Sequence, residues 1–190
     1  MNAVSGFIRA MAPYMAAAAI AWAAAKFLAL MVSHTRRKEI NWYHEAGLLL
    51  FAAFIAGLAS QTVIPSTVSS PDGRVHETWL IPFRFICYTY EDLFVRHSCY
   101  SLLINFTGNV VMFMPFGFFP PLLWRASGRK AIAAGFFASL FIEITQLFLP
   151  RSTDIDDLIL NTAGAALGFL IYRLLHRRFG GFIDRFSTVK

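Results

Sequence analysis

The chain has 190 residues, of which 57% are hydrophobic and 15% charged, with 20 phenylalanines and a mean hydropathy of +0.55; a soluble domain carries roughly 25% charge. That composition excludes disorder, collagen-like repeats and a secreted disulfide scaffold, and it argues against a soluble enzyme. Seventeen basic against eleven acidic residues give a net charge of +6, but the basic residues fall in short clusters between apolar runs, which records membrane orientation rather than a grip on nucleic acid.

A helix needs about 20 apolar residues to cross the hydrocarbon core. The first run that qualifies is Ala10 to Val32, interrupted by Pro13 and Lys26. It is too long for a signal peptide and lacks a basic start, so it reads as a span. Lys26 lies about 10 Å from the end of that span at 1.5 Å per residue, within snorkelling distance of the interface. Ala46 to Ile64 is the second run, so residues 1–64 read as two N-terminal spans.

Residues 65–101 read as a loop. Pro71-Asp72-Gly73 is a turn signal. The aromatic stretch 78–90 contains Arg84 and Pro82, and it reads as an amphipathic helix or re-entrant piece lying at the interface with Trp79, Tyr88 and Tyr90 at headgroup level. Cys87 and Cys99 share this loop, either bridged or as two free thiols. Two cysteines rule out a four-cysteine zinc site and most iron–sulfur clusters.

Leu102 to Trp124 is the third span, and its Pro115, Pro120 and Pro121 predict a kinked or broken helix. Ala131 to Leu149 is the fourth and Leu158 to Leu175 the fifth, leaving 176–190 as a tail. The chain therefore reads as an all-α, polytopic membrane helix bundle of about five transmembrane helices. Eleven basic residues follow spans one, three and five and five lie on the opposite side, with Lys26 the seventeenth. This bias predicts an N-terminus outside, an extracytoplasmic 65–101 loop and a cytoplasmic C-terminal tail.

Polar residues inside the spans carry the functional signal, because they are costly there. Asn105 and Asn109 share a face of span three; Ser139, Glu143 and Gln146 share a face of span four. Arg151, Asp154, Asp156 and Asp157 fill the following turn, and Asn161 lies one turn beyond Asp157. With the predicted orientation, Asn109 and Glu143 lie about 10 Å and Asn161 about 6 Å below the outer surface at the helical rise. These groups should face one another and form one outer-leaflet site.

Structural readings compete with the functional one. Asp154 suits a helix N-cap, and Asp156 and Asp157 complement a helix dipole. The amides suit interhelical hydrogen bonds, and Gly164 with Gly168 suits close helix packing. Glu143 is the strongest functional candidate. No P-loop, dinucleotide-binding glycine motif or CxxC is present and no histidine falls in the group, so no cofactor is expected. A hard cation on Asp154 and Asp157 stays open.

The chain resembles the VanZ-like family through Asn105-x-x-Gly108-Asn109, Phe113-x-Pro115-x-Gly117 and Pro121. The likeness continues through Ile142-Glu143-x-x-Gln146, Pro150-Arg151, Asp154-x-Asp156-Asp157, Asn161-x-x-Gly164 and Gly168, with Leu80-Ile81-Pro82-Phe83 ahead of span three. Trp79 stands where the family often has asparagine. The resemblance makes 102–175 the family's three-helix core. It implies a multi-pass protein of the bacterial cell membrane, and the member that gives the family its name lowers susceptibility to the lipoglycopeptide teicoplanin. Two functions follow as expectations. One is binding, with Asn105, Asn109, Glu143, Gln146, Arg151, Asp154, Asp156, Asp157 and Asn161 holding a lipid-linked cell-wall precursor or lipoglycopeptide through its anionic group among membrane lipids. The other is a membrane enzyme acting on such a lipid, with Glu143 as acid or base and Asp154 or Asp157 assisting as a catalytic group or metal ligand.

Overall fold

The computed structural model describes residues 3–32, 40–63, 78–79, 82–83, 100–149 and 153–188. Five long helices correspond to the five apolar runs: α1 (Ala3–Val32), α2 (Trp42–Thr62), α3 (Tyr100–Trp124), α4 (Gly128–Gln146) and α5 (Ile155–Ile183). Two short strands, β1 (Thr78–Trp79) and β2 (Thr153–Asp154), pair in parallel, with Thr78 opposite Thr153 and Trp79 opposite Asp154. A 3-10 turn at Asp184–Phe186 follows α5.

Consecutive helices alternate in direction. Lys26 near the end of α1 pairs with Glu45 at the start of α2 at 2.7 Å, and Phe51 of α2 stacks on Phe119 near the end of α3 at 5.0 Å. One end of the bundle therefore gathers the end of α1, the start of α2, the α3–α4 turn and the end of α5. Its described charged residues are Lys26, Arg125, Arg129, Lys130, Arg173, Arg177, Arg178 and Arg185 against Glu45 and Asp184. The other, the bridge end, carries β1, β2, Glu143, Asp154, Asp156 and Asp157, with Arg9 as its described cation.

Four helices, all but α4, are long and apolar enough to cross a membrane by length and composition. The α4 helix spans 19 residues between the same two ends and carries Arg129, Lys130 and Glu143. Large apolar side chains such as Ile20, Phe27, Leu50, Phe137, Phe141 and Leu174 are exposed. A surface of that kind suits contact with lipid tails, not water.

The core lies among α2, α3, α4 and α5, where Leu58, Phe113, Phe116, Ile142 and Ala165 pack together with Phe51 and Phe54 at the margin. Contact between α3 and α5 is the most extensive in the bundle. It is close because glycine lies at the crossing: a Cβ at Gly164 would overlap the Val110 carbonyl of α3, and one at Gly117 would lie 2.7 Å from the Ala165 carbonyl carbon of α5. The packing role expected of Gly164 and Gly168 is met here.

Several details differ from expectation. The three prolines lie within α3, which is not broken at them. α5 does not end near Leu175; it runs to Ile183, with non-helical backbone at Phe179, so residues 176–183 are helix rather than tail. The chain end is docked as well. Asn41 donates to the Arg185 carbonyl and His44 Nδ1 to that of Phe186, both at 2.8 Å. Lys26 pairs with Glu45 in addition to lying within snorkelling distance of the surface. Thr78 and Trp79 are strand rather than an interfacial helix. Tyr88, Tyr90, Cys87 and Cys99 lie outside the described residues.

Candidate functional site

The site forms where three helix ends meet the short bridge. On α4, Ser139 and Glu143 are one turn apart and share a face; on α5, Asp157 and Asn161 have the same spacing. Asn161 Nδ2 donates to Ser139 Oγ at 2.8 Å, fastening α5 to α4. Asn109 Nδ2 donates to Asp157 Oδ1, fastening α3 to α5. Glu143 Oε2 accepts from the Asp154 backbone N–H at 3.3 Å, fastening the end of α4 to β2. Ser139 is fully buried, and Glu143, Asp156 and Asn161 are nearly so.

The three aspartates divide the work at the start of α5. Asp154 has extended backbone and is the N-cap, its carboxylate accepting from the Asp156 N–H at 3.0 Å. A capping side chain of this kind satisfies a donor that the helix leaves open. Asp156 accepts from the Phe83 backbone N–H at 2.5 Å. Asp157 receives the Asn109 amide. Asp156 and Asp157 also lie in the first turn, where the helix dipole favours negative charge.

The bond from Phe83 has a further consequence. Phe83 has φ +67°, a left-handed conformation that costs a non-glycine residue about 1–2 kcal/mol. Its N–H is held by Asp156, and residues 78–79, a few positions back, are held by β2. The segment around 78–83 is thus strapped across the start of α5 at two points. The family-like element Leu80-Ile81-Pro82-Phe83 ends in this strap, with Leu80 and Ile81 outside the described residues.

Of the expected site residues, Asn109, Glu143, Asp154, Asp156, Asp157 and Asn161 come together. Gln146 is half-buried on the same helix as Glu143, and no hydrogen bond joins its side chain to the group among the described residues. Arg151 and the side chain of Asn105 lie outside the described residues. Three participants were not among the expected ligands. Ser139 was legible as the residue one turn before Glu143. Thr153 and the Phe83 N–H gave no signal, because a backbone donor and a two-residue bridge leave no sequence period.

Two buried polar atoms here have no partner among the described residues, Thr153 Oγ1 and Asn161 Oδ1. Buried polar groups are normally paired, so the site retains hydrogen-bonding capacity. Among the described residues, no group of three or more His, Cys, Asp or Glu side chains is placed to hold a metal ion. Further along the same two helices, Val111, Met114, Pro115 and Phe118 of α3 with Gly168 and Ile171 of α5 line an apolar groove of about 270 Å³.

A family model described as VanZ/LLP1 matches residues 46–176, which take in α2 to α5 and the site and leave α1 outside. Protein VanZ of Enterococcus faecium is 32% identical over 110 residues, a match that covers 52% of this chain and 68% of that protein. No solved structure matches.

Proposed function

The chain belongs to the VanZ/LLP1 family, and from that membership we propose that it is a multi-pass protein of the bacterial cell membrane that binds a lipid-linked or amphiphilic molecule at its bridge end. The polar head of the ligand lies against Asn109, Glu143, Asp157 and Asn161, and its apolar tail lies along α3 and α5. The observation that carries this reading is the pair of orphaned polar atoms, on Thr153 and Asn161, inside a site built from three helices. The apolar groove on two of those helices suits an acyl or polyprenyl chain. The basic bias supports an outer-leaflet position for the bridge end, the leaflet in which cell-wall precursors and lipoglycopeptides would be met. Lowered teicoplanin susceptibility is the phenotype that the family resemblance implies.

The test is a lipid analysis of the full chain purified in mild detergent. A polyprenyl-linked or similar amphiphilic species should co-purify with the wild type and be depleted in Asn109→Leu and Asn161→Leu variants that retain the wild-type thermal midpoint. Recovery of bulk phospholipid alone from all three proteins would contradict the reading. Recovery of a chemically altered precursor would instead turn Glu143 into an acid or base of a reaction.

A further inference from the structure

The opposite end of the bundle holds a polar pocket. It has a volume of about 260 Å³ and is lined by Arg125, Ala126, Tyr172, His176 and Asp184. Asp184 accepts from Arg125 Nη2 and pairs with His176 Nε2, both at 3.2 Å, and the Tyr172 and His176 rings lie 5.6 Å apart.

Arg125 is the unusual residue. The Arg125 N–H donates to the Pro121 carbonyl at 3.0 Å, the bond that closes a helix C-terminus through a left-handed residue. Glycine ordinarily takes that position because it has no Cβ to clash. Here it is Arg125, at φ +52°. A strained backbone that glycine would relieve directs attention to what the side chain does. Its guanidinium has five N–H donors, and Asp184 engages Nη2. Arg129, Lys130, Arg173, Arg177 and Arg178 are exposed at the same end of the bundle.

We infer that this cavity is a binding site for a phosphate group, supplied by an anionic phospholipid of the adjoining leaflet. Asp184 orients the Arg125 and His176 side chains, the remaining Arg125 donors meet the phosphate oxygens, and the exposed basic residues of this end supply a positive field. This site is independent of the one at the bridge end.

The full chain, reconstituted in phosphatidylcholine nanodiscs and titrated with phosphatidylglycerol, is read by native mass spectrometry. One phosphatidylglycerol per chain should be retained in preference to phosphatidylcholine. Arg125→Gly fits the backbone better than arginine does, and it should weaken retention about tenfold, the loss expected for a charge-assisted contact. His176→Gln should weaken it severalfold and serves as the second variant. The Arg129→Gln/Lys130→Gln double variant should change it by less than about threefold, as expected for exposed charges acting through a field. A parallel titration with inorganic phosphate identifies the source. Competition at millimolar phosphate would mean that a soluble phosphate fills the same site, and no competition that the lipid does. Equal retention of both lipids, unchanged retention in Arg125→Gly, or an equal loss in the Arg129/Lys130 variant would overturn the inference.

Discussion

Glu143 and Asn161 illustrate how a residue's position in the chain and its partner answer different questions. A carboxylate on a predicted span is conspicuous because its burial is costly, so Glu143 stood out in the sequence. That it would meet the Asp154 N–H could not be read there, since the partner is backbone. Asn161 was legible as interhelical glue, and its partner Ser139 was legible as the residue one turn before Glu143. The strength of that bond can be measured. A double-mutant cycle of Ser139→Ala and Asn161→Ala should give a coupling of about 0.6 kcal/mol, and no more than about 1.7 kcal/mol, the range for hydrogen bonds between membrane helices. Zero coupling would remove the bond from the account. Asp154→Ala should cost about 1 kcal/mol through loss of the cap, and Asp154→Asn should restore most of it, because either side chain caps well. Thermal melting in detergent checks both.

At the scale of elements, the five helices were legible because apolar runs of about 20 residues have few other uses. The end of α5 was not, since His176, Arg177 and Arg178 look like a tail. Those residues stay helical up to a 3-10 turn that Asn41 and His44 hold from the start of α2, 144 and 142 residues earlier in the chain. The β1–β2 bridge was equally hidden, being two residues long on each side. The α3–α5 crossing depends on its glycines. Gly164→Leu should therefore destabilise the bundle by about 1–3 kcal/mol through overpacking against the Val110 carbonyl. Gly108, with open space around its Cβ position, should accept alanine with little effect. For the strap, Asp156→Ala should speed amide exchange at Phe83, whereas Asp156→Asn, which keeps an acceptor, should do so far less. Equal exchange in the two variants would mean that the bridge alone holds the segment.

At the scale of the molecule, the described charges separate into a basic end and an acidic end across a bundle whose sides are apolar. Under the positive-inside rule that separation predicts an orientation that labelling can test. In a background with Cys87 and Cys99 replaced by serine, an impermeant thiol reagent should label Phe148→Cys in intact cells. It should reach Lys130→Cys only after permeabilisation. Labelling of Lys130→Cys in intact cells, with Phe148→Cys reached only after permeabilisation, would place the site in the opposite leaflet. The family and the membrane bundle were legible in the sequence because motif spacing and hydropathy are local. The assembly of the site was less so, because it depends on which faces of α3, α4 and α5 turn toward one another. Whether the bridge-end site binds an amphiphile is decided by Glu143→Gln. The amide keeps the shape of the side chain and an acceptor for the Asp154 N–H, and removes the charge. Binding of labelled teicoplanin and of a labelled undecaprenyl-linked precursor to nanodisc-embedded protein is measured alongside thermal stability. The wild type should bind at least one of the two saturably, and the variant should lose about tenfold or more at an unchanged melting temperature, as for removal of a charge-assisted contact. Binding of neither ligand by the wild type, or equal binding by both proteins, would contradict amphiphile binding at this site.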